Sequence, residues 1–393
     1  MKQNLQDFLP SRNCFITSRL NISLQPETVR TLKAVILAGG FGTRLRPLSC
    51  TRPKILFPIV NKPLLQWTFE RLAKNNVRDV ILAVFYQTEL HIKHHRVPRC
   101  GVHVTYSHDP LRKPLGTGGS IRKAQKLLGK DVPFIVLNGD IFADVNYTEI
   151  LNMHKKKNAT ATITLCSVKN PSRYGVADLA KDNRITRFIE KPPPGTAPTN
   201  LINAGAYVLS PKIFNYIPEG RAVSIEHEVF PKLAQEDSLY GHVFDGIWMD
   251  IGKPEDYLEI NKKMLDWSAE LQKYRADNNV EIKKPLAIDK KVSIGEKSTI
   301  GPYAVLGRNV IVGKSVKIRD SVIFPGTVIS DFSSVNGTII GEGVTIGREV
   351  KIEKGCIIGD HARIKDGASL AQRVSVCPAT EVSKSVLTSS RIC

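Results

Sequence analysis

"SIGEKSTIGPYAVLGRNVIVGKSVKI", residues 293–318, repeats itself every six positions. An aliphatic residue stands at Ile294, Ile300, Leu306, Val312 and Ile318, in a series that begins at Ile288 and reaches Phe324. Four places after each member comes a small or β-branched residue: Val292, Ser298, Ala304, Val310, Val316, Val322 and Val328. Glycine often follows the aliphatic residue directly, as at Gly295, Gly301, Gly307 and Gly313. A six-residue repeat denotes a parallel β-helix, in which each repeat forms one side of a coil and its aliphatic residue fills the interior. The phase slips between 324 and 340 and resumes at Ile340, Ile346, Ile352, Ile358, Ile364, Leu370 and Val376. A loop pushed out of the solenoid is the expected cause.

Upstream of the repeat the period becomes helical. Tyr257, Ile260, Met264, Trp267, Leu271 and Tyr274 fall three or four apart, and Pro254 suits a first turn, so a helix from Pro254 to about Ala276 is expected to bridge two domains. Further back, "KAVILAGG", "VRDVILAVF" and "VPFIVLNGD" are apolar runs without polar alternation, separated by amphipathic segments such as "LLQWTFERLAKNN". Such runs read as strands buried on both faces of a sheet wrapped by helices. The expected organisation is an N-terminal extension over 1–31 and an α/β domain with a Rossmann-like open mixed sheet over 32–265. A helical linker over 266–284 and the β-helix over 285–393 follow. Residues 1–31 are basic, polar and poor in acids, which fits a loosely ordered extension or an organelle-targeting peptide; a long apolar core that would mark a secretory signal is missing.

Composition narrows the function classes. The 393 residues exceed what a single core normally organises. No apolar run approaches the ~20 residues that span a bilayer, so a membrane partner is not expected. The seven cysteines, at 14, 50, 100, 166, 356, 377 and 393, form no C-x-x-C pair and no zinc spacing, and suit a reducing cytosol without a disulfide frame. The formal charge of +19 is spread along the whole chain with no nucleic-acid motif, which favours anionic small molecules over DNA or RNA. His91, His94 and His95 sit among lysines on an expected helix surface and lack the carboxylate or cysteine neighbours of a metal site.

"VILAGGFGTRLRP", residues 35–47, joins a buried strand to a glycine turn and two arginines. Ligands of α/β sheets bind at the carboxyl ends of strands, and Gly39, Gly40 and Gly42 let backbone N–H groups approach phosphate oxygens that side chains would block. Arg44 adds a planar donor and Lys54 a second cation. The pattern is neither a P-loop nor a dinucleotide fingerprint; taken by itself, a structural tight turn explains it as well.

The longer string "LAGGFGTRLRPLSCTRPKILFPIVNKPLL" resembles the signature of the sugar-phosphate nucleotidylyltransferase family. The resemblance recurs in order at "PLGTGGSI" (114–121), "VLNGDIF" (136–142), "SRYGV" (172–176), "FIEKP" (188–192), "INAGAYVLSP" (202–211) and "GIWMDIGKPEDYL" (246–258). With the β-helix it covers nearly everything after residue 31, and "SIEHEVFPKLA" (224–234) is most similar to the mannose-1-phosphate guanylyltransferase branch. The resemblance supplies the left hand of the β-helix, which the period alone does not. Two departures stand out: Ile55 occupies the place where many relatives carry proline, and the leader has no counterpart.

The chemistry implied is attack by a sugar 1-phosphate oxygen on the α-phosphorus of an NTP, with pyrophosphate expelled. Charge neutralisation and in-line positioning dominate such a reaction, which needs a divalent metal and cations and no protein nucleophile. By residue-for-residue match, Arg44, Lys54, Asp140 and Asp250 are the expected catalytic groups. Asp140 and Asp250 would ligate Mg2+, which accepts one or two carboxylates alongside phosphate oxygens and water; a turn or helix cap is the alternative for a lone strand-terminal Asp. Leu37, Ala38, Gly39, Gly40, Gly42, Thr43, Arg44 and Lys54 are expected to cradle the triphosphate, and Leu115, Gly116 and Thr117 the base and ribose. Gly175, Glu190, Lys191, Asn203 and Gly205 match the sugar-phosphate side. For Glu190 and Lys191 the alternative is a surface ion pair of less than ~1 kcal/mol, and for Trp248 it is core packing.

The expected reaction is GTP plus mannose 1-phosphate to GDP-mannose. UTP or dTTP with glucose 1-phosphate is the allied alternative, and a non-catalytic regulatory paralogue is the alternative from another class. An acyltransferase in the β-helix would require a histidine base, and only His361 qualifies, at an expected solvent-facing corner. The flat sides and exposed end of the solenoid imply a homo-oligomer.

Overall fold

The computed structural model describes residues 31–40, 42–129, 131–267 and 279–393; the expected leader and the distal part of the Pro254 helix lie outside them. The first apolar run forms the strand Lys33–Leu37, flanked by the parallel strands Asp79–Val84 and Phe134–Asn138. His103–His108 extends the parallel part beyond Asp79–Val84. On the other side Leu201–Leu209 joins antiparallel to Phe134–Asn138, so the sheet is mixed. Ala34, Val35, Ile36, Val80, Leu82, Ile135 and Val136 are all buried, as uninterrupted apolar runs covered on both faces require. Helix Leu64–Lys74 keeps Leu65, Phe69 and Leu72 toward one core cluster.

From Glu281 onward three sheets of parallel strands wind into a left-handed β-helix, each coil stacked on the next. Leu306, Val312, Ile318, Ile346, Ile358 and Val376 fill its interior as the six-step pattern requires. The phase slip has another cause than the one expected. Val305 pairs with Val322, Ile318 with Val335 and Ile323 with Ile340, so these coils advance seventeen residues where Leu286 to Ala304 advances eighteen. Left-handed corner residues recur at 315, 320 and 326 and at 332, 337 and 343, locating two sides shortened by one residue. No loop leaves the solenoid there.

One consequence concerns Phe324. Ile323 takes the interior place, and Phe324 turns outward, 1% exposed, into an apolar cluster with Phe57, Tyr257, Ile260 and Met264. The helix Pro254–Trp267 thus packs between the α/β part and the flank of the β-helix formed by Val305, Val322, Ile339 and Ile357.

The cysteine expectation is corrected at the C-terminus, where Cys377 and Cys393 are joined as a disulfide with Cα atoms 4.8 Å apart. Val376 pairs with Ile392 across the last rung, so the next residues of each strand stand in register. Sequence spacing concealed this because sixteen residues, the length of the shortened last turn of the coil, matches no familiar disulfide motif. His361 occupies an exposed corner with φ 60°, on the solvent side as expected.

Candidate active site

Two adjacent strand ends bring the glycine loop and the first aspartate together. Gly139 N donates to Leu37 O at 2.8 Å. A Cβ at Gly139 would stand 2.7 Å from that oxygen, so only glycine lets Asp140 sit beside the loop that follows Leu37. Asp250 arrives from the opposite direction. Trp248–Asp250 pairs antiparallel with Ile141–Ala143, placing Asp250 opposite Ile141, and Ile251 N donates to Asp140 O at 3.1 Å.

Lys54, on the 3-10 turn Lys54–Leu56, reaches into the space between these carboxylates. Its Nζ lies 2.8 Å from Asp140 Oδ2 and 3.8 Å from Asp250 Oδ1, and its side chain is 9% exposed. Burial, reinforced by the negative charge of Asp140, pushes the Asp250 carboxyl above the ordinary carboxylate range, while Lys54 and Arg44 pull it back. Gly252 separates Asp250 from the exposed Arg44: a Cβ there would lie 2.9 Å from Asp250 Oδ2 and 3.4 Å from Arg44 Nη1. Arg44, Lys54, Asp140 and Asp250 therefore converge from four segments.

Arg44, Lys54 and Asp140 line a cleft of about 450 Å³, and Asp250 stands behind Lys54 with its neighbour-but-one Gly252 in the lining. Residues 37–40, 42–44, Lys54, 115–117 and Asp140 all line it, which brings together every residue expected for the nucleotide. Gly42 has φ 59°, a left-handed turn that starts the 3-10 turn Thr43–Leu45, and nothing lies within 4 Å of where a Gly40 side chain would begin. The Thr117 hydroxyl is committed elsewhere: it donates to Glu226 Oε2 at 2.6 Å and accepts from Ile225 N at 3.0 Å. Gly118 N donates to Val223 O at 2.9 Å, so the amino end of helix Gly116–Leu128 is capped by protein.

The cleft also contains residues that sequence reasoning passed over, among them Asp109, Ser120 and Gly252. Asp109 follows the strand His103–His108 and is 8% exposed. Its Oδ2 accepts from Ser120 Oγ, whereas its buried Oδ1 has no hydrogen-bond partner. Burial raises its pKa against the pull of the Ser120 hydrogen bond. The signal available was positional: like Asp140, Asp109 is an acid just past the carboxyl end of a strand.

Gly175, Glu190, Lys191, Asn203 and Gly205 do not line this cleft. Gly175 and Glu190 face each other across an antiparallel pair, and a Cβ on Gly175 would come 2.6 Å from Glu190 Oε2. Lys191 Nζ is 3.0 Å from Glu190 Oε1 with its side chain 62% exposed, so the surface ion pair exists. Asn203 Oδ1 accepts from Gly205 N at 3.0 Å, and its Nδ2 donates to Tyr207 OH, which also accepts from Asn138 Nδ2 at 3.3 Å. Through Tyr207 and Asn138, which lines the cleft, Asn203 and Gly205 connect to its edge. Trp248 donates to Ala204 O at 3.1 Å and packs edge-on against Tyr174, in line with the packing alternative.

Among the described residues no three His, Cys, Asp or Glu side chains converge on a metal-sized space. A cation at Asp140 and Asp250 therefore needs ligands from substrate phosphates or water. A glycine loop at a strand end, a buried lysine and two converging carboxylates thus meet in a strand-end cleft of an α/β domain. Comparison with known proteins identifies the family. The nucleotidyl transferase family model matches residues 33–266, and that of the GMPPB C-terminal domain matches 282–392. A mannose-1-phosphate guanyltransferase of Yarrowia lipolytica is 41% identical over 345 residues, covering 85% of this chain and 93% of that one. The Saccharomyces cerevisiae protein of the same name is 42% identical over 340 residues, with the same coverage of each chain. HddC from Yersinia pseudotuberculosis, solved in complex with GMP-PN, superimposes with a TM-score of 0.50 at 31% identity over 60% of this chain and all of that one. The chain belongs to the nucleotidyl transferase family, among the relatives of the mannose-1-phosphate guanyltransferases.

Proposed function

We propose that the protein makes GDP-mannose: an oxygen of mannose 1-phosphate attacks the α-phosphorus of GTP, and the bond to the β-phosphate oxygen breaks to release pyrophosphate. The observation that carries this is the convergence of Asp140 and Asp250 on Lys54, with Lys54 and Asp140 lining the glycine-rich cleft. Residues 39, 40 and 42–44 would hold the triphosphate by backbone N–H groups and the Arg44 guanidinium. Lys54 would offset charge on the transferring phosphoryl group. Glu190, Lys191, Asn203, Gly175 and Gly205 would bound the sugar phosphate.

Asp140 and Asp250 fit a divalent cation, here Mg2+. Burial and the Asp140 charge already disfavour the Asp250 carboxylate, and a cation would relieve both. When bound, the ion neutralises phosphate charge and fixes the reactants in line. The guanine preference is supported by Asp109, a cleft-lining carboxylate whose buried Oδ1 has no hydrogen-bond partner. Guanine offers a 2-amino donor; uracil, thymine and adenine do not.

No described helix is long and apolar enough to cross a membrane, and we place the enzyme in the cytoplasm as a homo-oligomer. Pyrophosphate release measured with GTP, ATP, UTP and dTTP against mannose and glucose 1-phosphates tests the assignment. GTP with mannose 1-phosphate should turn over fastest. Faster turnover of UTP or dTTP with glucose 1-phosphate would replace it, and failure of every pair would leave a non-catalytic paralogue.

A further inference from the structure

The segment carrying Lys54 has little regular structure to hold it. Residues 43–56 form three short 3-10 turns whose backbone bonds are local, Leu45 N to Gly42 O at 2.9 Å, Cys50 N to Pro47 O at 3.1 Å and Leu56 N to Pro53 O at 2.9 Å. What fixes them is side chains. Leu45, Leu48 and Phe57 sink into the apolar cluster that contains the β-helix residues Val305, Val322 and Phe324.

The polar anchor stands two residues before Lys54. Arg52 is 6% exposed, pairs with Glu342 and lies 3.9 Å from Asp360 Oδ2, both on the β-helix. Thr51 Oγ1 donates to the same Asp360 oxygen at 2.7 Å, while Asp360 Oδ1 accepts from Glu342 N at 2.8 Å. The guanidinium also lies over the Phe324 ring, 5.0 Å from its centroid. A buried arginine hydrogen-bonded to Glu342 and stacked on a ring, with Asp360 nearby holding Thr51, has little rotational freedom, and Pro53 passes that constraint on to Lys54.

We propose that Thr51 and Arg52, tied respectively to Asp360 and Glu342 of the β-helix, are positioning residues that set Lys54 in the cleft, so that the C-terminal solenoid contributes to turnover without touching substrate. This rests on the nucleotidyl transfer proposed above. Misplacing a reacting group by about an ångström can lower a rate by up to ~100-fold.

The experiment compares kcat, KM and Tm of Asp360→Asn, Glu342→Gln and Arg52→Lys with an interface control, Asp320→Asn. Asp320 pairs with Lys262 at 2.6 Å, joining the Pro254 helix to the β-helix away from the Lys54 turn. We expect Asp360→Asn to lower kcat about 10- to 100-fold with KM for mannose 1-phosphate unchanged. Arg52→Lys, which keeps the charge but lacks the fork, should recover only part of the rate. Asp320→Asn should lower Tm and leave kcat intact. Wild-type kcat in Asp360→Asn, or an equal loss of kcat in Asp320→Asn, overturns the proposal. Should Asp360→Asn fail to fold, Glu342→Gln, whose side chain is 40% exposed, decides by the same criteria. A wild-type protein without turnover would instead refute the proposed function, and this inference with it.

Discussion

Replacing Asp109 by alanine isolates base recognition from catalysis. The carboxylate lines the cleft with one oxygen bound to Ser120 and the other unpartnered. A hydrogen bond to a charged acceptor contributes ~1.5–3 kcal/mol, so losing one with the guanine 2-amino group should lower kcat/KM for GTP by roughly 10- to 150-fold. ITP keeps everything except that amino group. Wild-type enzyme should therefore prefer GTP to ITP by such a factor, and Asp109→Ala should use both at the rate at which wild type uses ITP. Pyrophosphate release under kcat/KM conditions gives the four numbers of this cycle. Because burial raises the Asp109 pKa, the preference should fade on acidification before ordinary carboxylates protonate. An unchanged GTP/ITP ratio in the variant would refute the assignment of Asp109.

Three further outcomes are expected. His154, 2% exposed and hydrogen-bonded to Thr162, has its pKa lowered by burial from 6.5 to about 4. The unfolded chain takes up its proton first, so stability should fall by up to ~3 kcal/mol as pH drops from 6.5 toward 4. Urea titrations of wild type and His154→Gln check this, since the variant should lack that step. Gly175→Ala places a Cβ 2.5 Å from Phe188 and 2.6 Å from Glu190 Oε2, and should raise KM for mannose 1-phosphate more than KM for GTP; steady-state kinetics decides. Phe324→Ala empties a site that is 1% exposed and should lose about 3–5 kcal/mol in chemical denaturation. A loss below ~1 kcal/mol would mean that the β-helix flank adds little cohesion.

The β-helix was legible because a buried coil demands an aliphatic residue on each side, and Ile300, Leu306 and Val312 announce that spacing. The phase slip was legible as a fact but not as a cause: pattern alone does not distinguish an extruded loop from two shortened sides, and Phe324 was misread as interior for that reason. The lining of the cleft could be read from the glycine loop, Arg44, Lys54 and Asp140, since close backbone approach and charge restrict those positions to few residue types. Asp109 stayed hidden because a single acid after a strand carries no spacing to distinguish it from a cap. Arg52 was equally silent, its partners Glu342 and Asp360 lying roughly three hundred residues away in a repeat read only for its apolar positions.

The most direct test of the central claim is single-turnover conversion of GTP and mannose 1-phosphate by wild type, Asp140→Ala and Asp250→Ala, each checked for folding by circular dichroism. If the paired carboxylates and Lys54 form the reacting centre, both variants should stay folded and lose GDP-mannose formation. Near wild-type product from either folded variant would contradict it.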